Sequence, residues 1–127
     1  MVQWLLLTDG SVNPQTKTGY GAYLLLTSDA IFNPIDELKS KIKVHAFTET
    51  SSTKIELETL LWALSNINVP NLSLTVYTDS QNILRLPQRR KRFEKNNYHT
   101  QKGLPIKNTA LYQDFFKMKD DLHFNIS

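Results

Sequence analysis

Cysteine is absent from the 127 residues, so disulfides and thiolate metal sites are excluded, and any metal must sit on oxygen or imidazole. No apolar run approaches the roughly 20 residues that a membrane-spanning helix needs. The opening MVQWLLLTDG is apolar for only a few residues and carries no basic lead-in, so it does not read as a signal peptide. A cytoplasmic protein is expected. The chain has no internal repeat and no low-complexity linker. What is present is an ordinary globular mix, 40% hydrophobic and 21% charged. Its length suits a single domain over residues 1–127, long enough to bury a core without staples.

The net charge of +3 hides an uneven distribution. Residues 85–107 hold eight of the 15 Lys and Arg against one acid, Glu94, a net of +7. The rest carries seven bases against 11 acids, a net of −4. A basic block on an otherwise acidic domain points to a polyanionic partner, with a solvated surface loop as the plainer alternative.

Residues 2–8 form a short apolar run that stops at Asp9-Gly10-Ser11, which predicts a buried strand and a turn. Residues 20–27 resume as a second strand, and residues 43–50 alternate as a half-exposed third. Between them, residues 28–40 predict a long hairpin loop with a helical turn near 35–38. A helix is expected over 55–67, where Leu57, Leu60, Leu61, Leu64 and Ile67 fall at helical spacing and Ser52 or Thr53 can cap the start. Pro70-Asn71 breaks the chain, and residues 72–78 predict a fourth strand ending at Asp79-Ser80. A short helix over 81–86 is expected to stop before Pro87. Residues 108–119 predict an amphipathic helix with Leu111, Phe115 and Met118 on one face, and residues 122–126 a last strand. Three leading strands suggest an antiparallel meander, and the later helix–strand alternation adds parallel strands to one mixed α/β sheet.

Three acids stand out. Asp9 and Asp79 end the first and fourth strands, and Glu56 is expected in the first turn of the first long helix. Ligands gather at the carboxyl ends of parallel strands. Neighbouring parallel strands one and four would therefore bring Asp9 and Asp79 together, with the helix start supplying Glu56. Clustered carboxylates repel, and a hard cation such as Mg²⁺ or Mn²⁺ resolves that conflict. One or two such ions, about 3.5–4 Å apart if two, suit in-line phosphodiester hydrolysis. Singly, each acid has a plainer reading as a turn former or a complement to the helix dipole.

These segments resemble ribonuclease H type 1. Thr8-Asp9-Gly10-Ser11, Asn13-Pro14 and Gly19-Tyr20-Gly21-Ala22 are similar to the family's opening DGS, NPG and GGYG. Lys54-Ile55-Glu56-Leu57 matches an RMEL-like helix start, and Tyr77-Thr78-Asp79-Ser80-Gln81 resembles STDSQ. Pro105-Ile106-Lys107-Asn108, with Leu111-Tyr112 beyond, is similar to PVKN and its following LW. The resemblance runs the whole chain in order. It implies a ribonuclease H-like fold, a mixed five-stranded sheet of three antiparallel and two parallel strands with helices on its faces. It also implies metal-dependent endonucleolytic cleavage of the RNA strand of RNA–DNA hybrids.

By that resemblance Asp9, Glu56 and Asp79 are catalytic and match three of the family's four metal-binding carboxylates. Gly10 and Ser11 come close to substrate, and Asn13 and Ser51 fall near positions that hold a DNA phosphate. Ser52, Thr53 and Gln81 correspond to positions along the minor groove, where the RNA 2′-hydroxyl is read, and Ser80 is expected among the nucleic-acid contacts. Arg85, Arg89, Arg90, Lys91, Arg92, Lys95 and Lys102 sit where many members carry a basic protrusion, and suit phosphate contacts on their own account. Phe93, Tyr98 and His99 among them either stack on sugars or pin the protrusion, with pinning preferred. The sequence also departs from the family. Ser52 and Thr53 replace two Asn residues, Gln15-Thr16-Lys17-Thr18 lacks the usual glycines, and the loop after the second strand is longer. The chain stops where a His loop, a fourth Asp and a closing helix would follow, so a C-terminally truncated domain is expected. His45 and His123, both expected within strands, do not match that His. An alternative function is a catalytically weak or inactive domain that binds duplex nucleic acid; an integrase or resolvase relative is a third, disfavoured by the TDSQ and PIKN segments.

Overall fold

The computed structural model describes residues 2–67 and 73–127, and the expected break at Pro70-Asn71 and strand start at Leu72 lie outside them. Along the described residues run β1 (Gln3–Asn13), β2 (Thr18–Thr27), α1 (Ile35–Ser40), β3 (Lys43–Phe47), α2 (Ser52–Ser65), β4 (Ser73–Tyr77), α3 (Gln81–Lys95), α4 (Thr109–Leu122) and β5 (Asn125–Ile126). They form one sheet in the order β3-β2-β1-β4-β5. Pairing is antiparallel from β3 through β1 and parallel from β1 through β5, the mixed α/β sheet that the sequence predicts.

Several boundaries differ from expectation, each for a local reason. β1 does not stop at Thr8. It runs on to Asn13 because β2 continues to pair with it, Asp9 opposite Ala22 and Asn13 opposite Thr18. The glycine-poor turn closes through Lys17, which takes the left-handed φ of 58° that glycine usually supplies and donates its N–H to the Asn13 carbonyl at 2.8 Å. β3 ends at Phe47, and the segment after β2 folds as a 3-10 helix (Ser28–Phe32) followed by α1. α3 passes through Pro87 to Lys95 instead of stopping. Proline removes one N–H from the ladder, but Ile83, Leu86 and Phe93 bury one face of the helix on both sides of it. α4 extends to Leu122, so β5 keeps only two residues; His123 is the left-handed cap of that helix, with φ 53°, and not a strand residue.

The core lies between one sheet face and α2, α3 and α4. Leu6, Leu74 and Val76 from the strands meet Leu57, Leu60, Leu64, Ile83, Phe115 and Phe124. Full burial of such side chains contributes about 1.5–3 kcal/mol each. On the other face, alternation leaves Leu7, Tyr20, Val44 and Tyr77 exposed.

Candidate functional site

Helix α2 can lie close on the sheet because glycines leave it room. A Cβ on Gly21 would collide with the Thr59 side chain, and one on Gly10 would sit 3.2 Å from Ile55. Gly10 and Gly21 are cross-strand partners, so together they make a trough without side chains. Ile55 and Thr59 settle into it, and Glu56 is carried to the end of the β1/β4 pairing.

Register does the rest. The parallel ladder ends with Leu7 opposite Tyr77, and Asp9 and Asp79 each lie two residues beyond. The strand-end placement expected of Asp9 therefore holds for the parallel pairing, although β1 itself continues. Glu56 is the fifth residue of α2, one turn later than expected, because the helix starts at Ser52. Its cap is Ser51, whose Oγ accepts from the Lys54 N–H at 3.2 Å, and not Ser52 or Thr53.

Asp9, Glu56 and Asp79 line one small cleft with Thr8, Gly10 and Thr78. Its volume is about 10 Å³, close to the least that admits one water-sized particle. No Lys, Arg or His lines it. The donor chemistry thus fits a hard divalent cation: carboxylates only, with no side-chain cation to neutralise them. Among the described residues, however, no three Asp, Glu or His side chains stand close enough to form a ready-made ligand cluster. Two of the acids are held by hydrogen bonds. Asp9 Oδ1 accepts from the Gly10 N–H at 2.9 Å, and Glu56 Oε2 accepts from Ser80 Oγ at 2.6 Å.

The residues expected at a nucleic-acid face divide. Ser11, Ser52, Thr53 and Gln81 are exposed, as are Arg85, Lys91, Arg92, Lys95 and Lys102. Ser51 and Ser52 border an open hollow of about 410 Å³ with Val12, Pro14, Lys17 and Thr50. Asn13 is exposed, but its Oδ1 is taken by the turn, accepting from the N–H groups of Gln15 and Thr16. Ser80 is only 3% exposed and its hydroxyl is engaged inside the protein, so it does not present a groove contact. Arg90 is also committed internally. Its guanidinium forks onto Asp120 at 2.6 and 2.7 Å and reaches Glu94 at 2.8 Å, and its charge lies 5.1 Å from the Phe116 ring centre. These bonds hold its pKa above the ordinary arginine value, and the bond from Arg90 pulls the Asp120 carboxyl below its own. Arg89 donates to Asn82 at 3.0 Å and lies over Phe93.

Phe93 is buried against Tyr98, Tyr112 and Phe116, so it pins the protrusion, as preferred from the sequence. Burial raises the pKa of the half-buried Tyr98 phenol, with Glu94 adding to it. His99 stays exposed beside a hollow bordered by Arg89, Arg92, Asn96, Thr100 and Gln101. Three features escaped the sequence reading. Lys17 beside the α2 start had no signal beyond one basic turn residue, the Asp120 partner of Arg90 none at all, and the Ser80–Glu56 bond only the cap position of Ser80.

No curated protein matches the sequence. Among solved structures, that of the foamy viral protease-reverse transcriptase in complex with dsDNA is similar in fold, with a TM-score of 0.73 at 10% identity, covering 99% of this chain and 79% of that chain. A family model for RNase H matches residues 2–126. Sheet order, register and the match over nearly the whole sequence agree: the chain belongs to the RNase H family.

Proposed function

We propose that residues 1–127 act as an RNase H domain that cleaves the RNA strand of RNA–DNA hybrids with Mg²⁺ or Mn²⁺, and that Asp9, Glu56 and Asp79 hold the metal. The observation that carries this reading is the single cleft lined by all three carboxylates and by no side-chain cation. A bound divalent ion supplies Lewis-acid chemistry for in-line phosphodiester hydrolysis. The chain's own residues hold and orient the duplex. The exposed cations of α3 and the following loop supply phosphate affinity without sequence preference. The hollow at the α2 start, with Lys17 and Ser51, suits a phosphate because helix N-termini present unpaired N–H groups. Ser52, Thr53 and Gln81, exposed and close in sequence to Glu56 and Asp79, offer polar groups to the 2′-hydroxyls that distinguish RNA. The similarity in fold to a reverse transcriptase seen with dsDNA supports a duplex partner.

A labelled hybrid incubated with the chain and Mg²⁺ or Mn²⁺ tests this. Cleavage is expected in the RNA strand only, and Asp79→Asn is expected to abolish it. Cleavage that persists in that variant overturns the assignment. A second reading, a duplex-binding domain with little or no catalysis, rests on the exposed cations of α3 and the following loop, which grip phosphates whether or not a metal is held. It predicts salt-sensitive hybrid binding without cleavage by the parent chain in either metal.

A further inference from the structure

We propose that Ser80 is a positioning residue that holds Glu56 in place for the metal, an inference that rests on the carboxylate reading above. A serine hydroxyl has one proton to donate and two lone pairs to accept with. Ser80 caps α3, and its Oγ accepts from the Ile83 N–H at 3.2 Å. A lone pair is committed there, so the proton is free to point elsewhere. It points at Glu56, whose Oε2 lies 2.6 Å from Ser80 Oγ, the short separation typical of a hydroxyl donating to a carboxylate.

The backbone of the same residue is fixed too. The Ser80 N–H donates to Thr78 Oγ1 at 3.1 Å, which sets the turn that carries Asp79 between them. One buried residue therefore joins the β4–α3 turn, with Asp79, to Glu56 on α2. The Ser80–Glu56 bond limits the rotamers open to Glu56 before a cation arrives. The burial of Ser80 argues against a direct substrate contact and for action through Glu56. Donation from Ser80 occupies one lone pair on Oε2 and leaves the other lone pairs of the Glu56 carboxylate for a cation. Residues that orient a metal ligand in this way commonly change metal affinity by about 10–100-fold when lost.

The test uses the full chain and Mn²⁺ itself as the probe. Mn²⁺ affinity is measured by electron paramagnetic resonance of the free ion, beside melting temperature and hybrid-cleavage kinetics. Ser80→Gly removes the hydroxyl but keeps a residue that serves as a helix cap nearly as well as serine. Ser80→Thr keeps the hydroxyl. We expect Ser80→Gly to weaken Mn²⁺ binding by about 10-fold or more. It should lower kcat at fixed Mn²⁺ with little change in KM for the hybrid, and regain activity when Mn²⁺ is raised. Ser80→Thr should retain most of the affinity. In a Glu56→Gln background Ser80→Gly should cost little further affinity, which a merely structural role would not produce. Unchanged Mn²⁺ affinity in Ser80→Gly, or an equal loss in both backgrounds, overturns the proposal. Should the glycine variant unfold, Ser80→Ala, which keeps the packing of Cβ, decides by the same comparison. Glu56→Gln that binds Mn²⁺ like the parent instead overturns the carboxylate reading itself.

Discussion

Single residues set the distance between α2 and the sheet. A methyl group on Gly21 would overlap Thr59 Oγ1 and come within 2.9 Å of Thr59 Cβ and Cγ2. Thr59 cannot swing away, because it is fully buried and its hydroxyl donates to the Ile55 carbonyl at 2.7 Å. Gly21→Ala must therefore lift the helix. It is expected to cost about 1–3 kcal/mol by urea unfolding, the usual penalty of an overfilled core. Activity on a hybrid should fall further than stability suggests, since Glu56 rides on the displaced turn. Adding Thr59→Ala removes the oxygen and methyl in the way, so the double variant should be less destabilised than the sum of the two, whereas additivity would refute the contact. Gly19 and Gly21, alternating along one strand, announce a close approach in the sequence. They do not announce what approaches. Ser80 is similar: its place before α3 marks a cap, but nothing local marks the carboxylate that it holds across the fold.

Elements were legible where periodicity was strong and misread where a local signal was overridden by packing. The spacing of Leu57, Leu60, Leu61 and Leu64 was enough for α2, and the β-forming run before Asp79 for β4. Pro87 reads as a stop, yet α3 continues because Phe93, one face further along, has a buried place beside Tyr112 and Phe116. That docking is reinforced by the fork from Arg90 on α3 to Asp120 on α4. Asp120 has its pKa lowered chiefly by the hydrogen bond from Arg90. A carboxyl with a depressed folded value stabilises the fold above its unfolded value, near 3.9 for aspartate, and loses that contribution as pH falls through the folded one. Arg90, its own value raised, stays charged throughout. Asp120→Asn should thus lower Tm by a few degrees at most near neutral pH, since the pair is exposed. The difference from the parent should close below about pH 4 and shrink in high salt. A gap that persists at acid pH would mean that the asparagine disturbs packing and not an ion pair.

Across the whole molecule, charge is sorted by position in sequence and then again by the fold. The first sorting is visible in the composition: +7 in residues 85–107 against −4 elsewhere. The second is not, because a sequence does not say which cations are spent on internal partners. Arg90 faces Asp120, Glu94 and the α4 side, whereas Arg92 and Lys95 are exposed and carry no ion pair among the described residues. Duplex binding counts only the cations that displace counterions from phosphates, and each such contact adds about 0.9 to the slope of log affinity against log salt. Arg92→Ala and Lys95→Ala should each weaken hybrid binding and reduce that slope by about 0.9. Arg90→Ala should leave the slope nearly unchanged while lowering Tm, as it removes a clasp and not a phosphate contact. Fluorescence anisotropy of a labelled hybrid over a salt series reads both quantities. If Arg90→Ala reduces the slope as much as Arg92→Ala does, the clasp opens on binding and the arginine is shared between Asp120 and the duplex; if neither does, the grip lies elsewhere, with the Lys17–Ser51 hollow the next place to test.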